Sequence, residues 1–208
     1  MRHQNSIWLY DYWQNLCAQG QTPYRYDINP SDIATLLPHV MLIDVSAHDT
    51  TIKIAGSHIC TMFDRELRDV DFRMLFASND KDTSLSVCHS ASQEGVPALL
   101  GAMAHAVDER THVEILMLPL KDKKENANSI LLTINPLNSP VWLGHKPVIG
   151  FETLSFRLMH EADTLVANPF GQPNPHILHG DKERNKSVSQ NESHKKTFLR
   201  VIEGGLNH

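Results

Sequence analysis

The chain has 208 residues, enough for one domain with extensions, and 41% of them are hydrophobic, which allows a sizeable core. A net charge of −5 gives no general attraction to nucleic acid or to an anionic membrane surface. No stretch reaches the roughly 18 uncharged residues that a bilayer span requires, so neither nucleic acid nor a membrane is expected as a partner.

The chain opens on MRHQNSIWLYDYWQNLCAQ, which is amphipathic and lacks the apolar run of a signal peptide. Cys17, Cys60 and Cys88 lie far apart; an odd count without an export signal reads as reduced thiols in a cytoplasm. Between Ser6 and Gln19, Leu9, Trp13 and Leu16 recur at helical spacing with Tyr12 beside them, and Gly20 ends the helix. In RYDINPSDIATLLPHV, Asn29 caps a predicted two-turn helix with Pro30 and Asp32 in its first turn and Pro38 as its stop. VMLIDV and TTIKIAG then read as two strands joined by the turn SAHD, a hairpin signal.

After the hairpin, Ser57 to Phe63 is predicted as a short helix with Ile59 and Phe63 on one face, and Asp64 as the cap of a further turn, RELRD. DFRMLF supplies Phe72, Leu75 and Phe76, and a helix from about Asp82 to Gln93 is closed by Gly95 in a left-handed conformation. Three strands follow in PALLGAMAHAV, THVEILMLPL and SILLTINPL, separated by polar turns; PVIGFETLSFRL is a candidate extension of the sheet. Val113, Ile115 and Met117 share one strand face and Leu116, Leu118 and Leu120 the other. An antiparallel sheet with one wet face alternates, so the second face here must be covered, by the N-terminal helix or by the same helix of a second chain.

The order strand, strand, small helices, longer helix, three strands resembles a PAS domain. IAGSHICTMFDREL followed by DF carries the likeness. More narrowly, YDYWQNL, PYRYDINPSDIATLLPHVMLIDV, MLPL and the closing VIEGG are similar to a family of single-domain PAS-like proteins of alphaproteobacteria. Asp64 departs from that family, which usually has glycine before REL. The resemblance implies an α+β fold: a five-stranded antiparallel sheet with short helices on one face, an N-terminal amphipathic helix and a C-terminal extension. It divides the chain into a helical cap (1–28), a PAS-like domain (29–158), a linker (159–196) and a strand-like tail (197–208). The linker is rich in Pro, Asn, Ser and charge and has no core-sized apolar pattern, the composition of a flexible segment.

The resemblance implies sensing or protein interaction without catalysis. A pocket between helices and sheet would be lined by Ile59, Phe63, Phe72, Leu75, Met103, Ile115 and Met117, with no charged residue among them. Such a pocket suits a small apolar ligand, and the same side chains equally serve as plain core. No cofactor is required by this reading. His89 lies on the helix that carries the proximal ligand in haem-binding PAS domains, but nothing beside it supports haem. A flavin photoadduct needs a cysteine on the helix after DF, where this chain has DFRMLF. An enzyme using the cavity would draw on His58, Cys60 or His89, although residues two apart on a helix do not face each other. His176 and His179, with His160 upstream, read as loop histidines, and no metal is expected. The expected role is therefore a cytoplasmic bacterial regulatory domain. It would form a homodimer and bind a signalling partner through the N-terminal helix with Trp8, Leu9, Tyr12, Trp13 and Leu16, through the sheet face, or through the terminal FLRVIEGG strand.

Overall fold

A computed structural model of the chain describes residues 1–17, 20–46, 49–122 and 128–160. The linker from 161 onward and the strand-like tail, with His176 and His179, lie outside the described residues. Three α-helices, α1 (Gln4–Leu16), α2 (Ser57–Phe63) and α3 (Lys81–Glu94), accompany six strands. These are β1 (Val40–Val45), β2 (Thr50–Ala55), β3 (Ala98–Ala106), β4 (Glu109–Lys121), β5 (Asn128–Pro136) and β6 (Gly150–Leu158). They form one sheet in the order β2-β1-β5-β4-β3-β6, every pairing antiparallel. The sheet thus has six strands rather than five, because GFETLSFRL adds an edge strand to β3. That pairing shifts register between Gly101 and Ala102, a bulge in β6.

Two cores flank the sheet. On the inner face α2, α3 and the 3₁₀ turn Phe72–Leu75 enclose Met41, Ile43, Ile52, Leu100, Ile115, Met117 and Leu132. On the outer face Leu9, Tyr10 and Trp13 of α1 bury against Val40, Leu42, Leu116, Leu118, Leu120 and Leu131. The apolar second face of β4 and β5 is therefore covered within the chain by α1. Ser6, Leu9, Tyr10 and Trp13 make its buried stripe at i, i+3, i+4 and i+7. His3 caps α1, its ring accepting from the Asn5 amide, and the indole of Trp13 donates to the Pro119 carbonyl at 2.9 Å.

Three local expectations are corrected. The predicted helix at 30–37 is a run of turns ending in a 3₁₀ turn, Leu37–His39, that passes through Pro38. Its bonds are mostly i to i+3, and Ile33 and Leu36, three apart, are the side chains it buries; two turns are too few to propagate an α-helix on their own. Asp64 does not begin a helix. It closes α2 with φ 50° and ψ 38°, the left-handed geometry that a glycine would fill without cost. Met159, placed in the linker by composition, is buried, and its amide donates to the Pro97 carbonyl.

Candidate functional site

Six of the seven side chains expected between helices and sheet meet there. Ile59 and Phe63 come from α2, Phe72 and Leu75 from the 3₁₀ turn, and Ile115 and Met117 from β4; none is more than 5% exposed. Aromatic edges fill the centre: Phe63 meets Phe151 at 5.3 Å between ring centroids, Phe72 meets Phe76 at 5.3 Å and Phe76 meets Phe151 at 5.6 Å, all edge to face. Met103 does not join them. Burial alternates along β3, with Leu100, Ala102 and Ala104 turned inward, so Met103 faces the other side of the sheet. Cys88 is buried beside Met117, and burial first, then the Asp71 charge, pushes its thiol up to about 12, which removes thiolate chemistry.

The ionisable candidates do not converge. His89 Nε2 is 2.8 Å from the Ser46 carbonyl oxygen, to which it donates, so its ring is directed at the β1–β2 turn and not at the inner core, and a haem does not fit it. Cys60 donates weakly to the Ala55 carbonyl at 3.9 Å. His58, exposed near the start of α2, packs its ring on His39, centroids 4.4 Å apart. His160 pairs with Glu94 at 3.2 Å.

The expected interface residues divide. Leu9 and Trp13 are buried under the sheet's own cover, Tyr12 accepts from the Asn29 amide, and Leu16 is half-buried; only Trp8, at 53% exposure, is free to act as an anchor. A different outer surface is open instead. Around Gly101 of β3 a groove of about 310 Å³ is bordered by Leu99, Leu154, Phe156, Glu114 and Arg157. Leu154 and Phe156 are 49% and 56% exposed; Phe156 pairs with Leu100 and so lies on the inner side of this edge strand. Gly101 floors it; a Cβ there would meet the Ser155 hydroxyl at 2.9 Å.

A second cleft, of about 290 Å³, lies where α2, the Leu37–His39 turn, the N-terminus and the residues after β5 meet. It brings together His3, His39 and His58. Burial first, then His58 and His3, hold the His39 imidazole below its usual value.

A family profile described as PAS domain matches residues 1–134 of the chain. The chain belongs to the PAS domain family. Among solved structures it is similar to a light-oxygen-voltage domain determined in a study of a flavin analogue, at 15% identity over 52% of this chain and 84% of the other, with a TM-score of 0.40. It is also similar to the PAS domain of an HTR-like protein from Haloarcula marismortui, at 15% identity over 54% and 94%, with a TM-score of 0.35. No match was found among curated proteins.

In this PAS domain two features escaped the sequence. One is the histidine cluster, whose members are 36 and 19 positions apart and meet only through the fold. The other ties β2 to the 3₁₀ turn: Asp71 accepts from the Thr50 hydroxyl at 3.0 Å and from the Arg73 amide and guanidinium. Burial alone would raise the Asp71 carboxyl, but these hydrogen bonds and the Arg73 charge outweigh it and hold it below the ordinary carboxylate value. Neither its cap on the 3₁₀ turn nor its tertiary partner Thr50 was read from the sequence, which offered Asp64 as the cap instead.

Proposed function

We propose that this chain is a non-catalytic regulatory PAS domain of bacterial signalling that acts in the cytoplasm by protein association, first with a second copy of itself. The observation that carries the reading is the pairing of a tightly packed interior with an exposed apolar edge at β6. Phe63, Phe72, Phe76 and Phe151 fill the space where an apolar ligand would lie, which favours association over ligand capture. Leu154 and Phe156 leave apolar area on the outermost strand, and burying each is worth roughly 1.5–3 kcal/mol before ordering costs. Arg157 borders the same groove, so a positive charge stands beside the apolar anchors and can help fix the register of a partner. The separation of His58, Cys60 and His89 favours a binding role over an enzymatic one. The likeness to single-domain PAS-like proteins of alphaproteobacteria supports a signalling setting. No helix among the described residues is long and apolar enough to cross a membrane.

The test is sedimentation equilibrium of the full chain beside the double variant Leu154→Glu, Phe156→Glu. The unaltered chain is expected to dimerise with rising concentration and the variant to stay monomeric with the same circular dichroism. A chain that remains monomeric at every concentration, or a variant that dimerises equally well, overturns the reading.

A further inference from the structure

The cleft between α2 and the Leu37–His39 turn has an unusual electrostatic make-up. Among the described residues lining it, the only titratable side chains are His3, His39 and His58; the rest of the wall includes Met62, Leu143 and Ser139. No carboxylate lines it. Glu114 on β4, which the His3 amide reaches, is engaged by the Arg2 and His3 amides at 2.7 and 3.1 Å. The groups facing His39 can therefore add positive charge but not offset it: His3 comes from the N-terminus and His58 from α2, while β5 and the segment after it contribute only Asn135, Pro136, Ser139, Pro140, Leu143 and Gly144.

The ring nitrogens are also available. His3 Nδ1 accepts from the Asn5 amide at 3.2 Å, which leaves its Nε2 as an N–H donor in the neutral ring. The rings of His39 and His58 have no hydrogen-bond partner among the described residues. No three ligating side chains among those residues are placed to hold a metal ion, so the imidazoles are better suited to donate than to coordinate.

We propose that this cleft is an oxyanion-binding site, in which the His39, His58 and His3 rings donate to a carboxylate or phosphate and a proton is taken up as the anion binds. The proton comes from solvent and adds to the imidazole of His39 or His58; no covalent bond forms or breaks. Without the anion, the His39 imidazole resists charging, because burial disfavours its cation and neighbouring histidines can only add positive charge. An anion beside the ring offsets that penalty. The about 290 Å³ of space admits a small acid only, its apolar part against Met62 and Leu143. This site is independent of the outer groove and stands or falls apart from the association proposed there.

The experiment is an NMR pH titration of the histidine ring signals of the full chain at constant ionic strength, in sodium chloride alone, with sodium phosphate, and with sodium acetate. His39→Gln and His58→Gln assign the signals. Phosphate or acetate is expected to raise the midpoints of His39 and His58, and binding should weaken by up to about tenfold per pH unit above them, the limit for one proton per anion. The rise should vanish in His58→Gln, an exposed position where the fold is not at risk, and persist in His145→Gln, an exposed histidine outside the cleft. A response to phosphate alone assigns a phosphate ligand; a response to both assigns the carboxylate as well. Midpoints that stay at their sodium chloride values with both anions, or that rise equally in His58→Gln, overturn the proposal.

Discussion

Gly56 lies between β2 and α2 with its backbone against the preceding turn. A Cβ at that point would stand 2.3 Å from both the Leu37 and Pro38 carbonyl oxygens, and neither can move without disturbing β1, since the Gly56 amide also donates to Val40. Gly56→Ala is therefore expected to cost at least about 2 kcal/mol in urea unfolding, as a clash with fixed backbone does. A loss under half of that would mean the turn has room to shift. Asp64 gives the opposite lesson, because there the conformation and not the space is limiting. Asp64→Gly should stay within about 1 kcal/mol of the parent, whereas Asp64→Val should lose about 1–2 kcal/mol to left-handed strain. Asp71 governs acid behaviour at this scale. Its carboxyl is depressed in the folded chain, so its stabilisation is present above the ordinary carboxylate value of 3.8 and disappears as pH falls through the lower folded value. Melting temperature followed from pH 7 downward should show that acid limb, and Asp71→Asn should flatten it.

At the scale of elements, α1 is tied to the sheet by more than its apolar stripe. Asn135 of β5 is fully buried and donates to the Ser6 hydroxyl and to Thr133 Oγ1, both at 3.1 Å, while the Asn5 amide group donates to its oxygen at 3.2 Å. Asn135→Ala leaves those partners unsatisfied and is expected to cost about 1–3 kcal/mol. Amide exchange in α1 should quicken before that of β4. Deleting residues 1–17 should do more than remove a docking device: it uncovers Leu116, Leu118, Leu120 and Leu131, and the truncated chain should bind a hydrophobic dye or precipitate. If it stays soluble and dye-free, α1 is not the cover. The apolar doubling of β4 and β5 made a covered outer face readable from sequence alone. It did not say which copy of the helix provides the cover, because a stripe of Leu and Trp looks the same packed in its own chain or in another. Met103 was misread for a related reason. Apolar residues stand on both faces of β3, Leu99 and Met103 outward and Leu100 inward, so hydrophobicity hides the parity that Ala102 and Ala104 mark by their small size.

For the molecule as a whole, the order of strands and helices was legible because each hairpin and helix end carries its own local signal. Six of the seven side chains expected between helices and sheet lie in the inner core, while others that fill it, Leu100 and Phe151 among them, were not listed. What stayed hidden were contacts between distant segments, such as His3 with His39 and His58, since only chain topology brings them together. The outermost strand has one more consequence. Between Gly101 and Ala102 its pairing slips by a residue, so beyond that point its alternation of sides no longer matches the first half. A straight ribbon from another copy cannot zip along the whole length of such a border. Copies that meet along the edge at Leu154 and Phe156 can pair over only part of its length and then stop, giving a closed pair instead of a growing fibre.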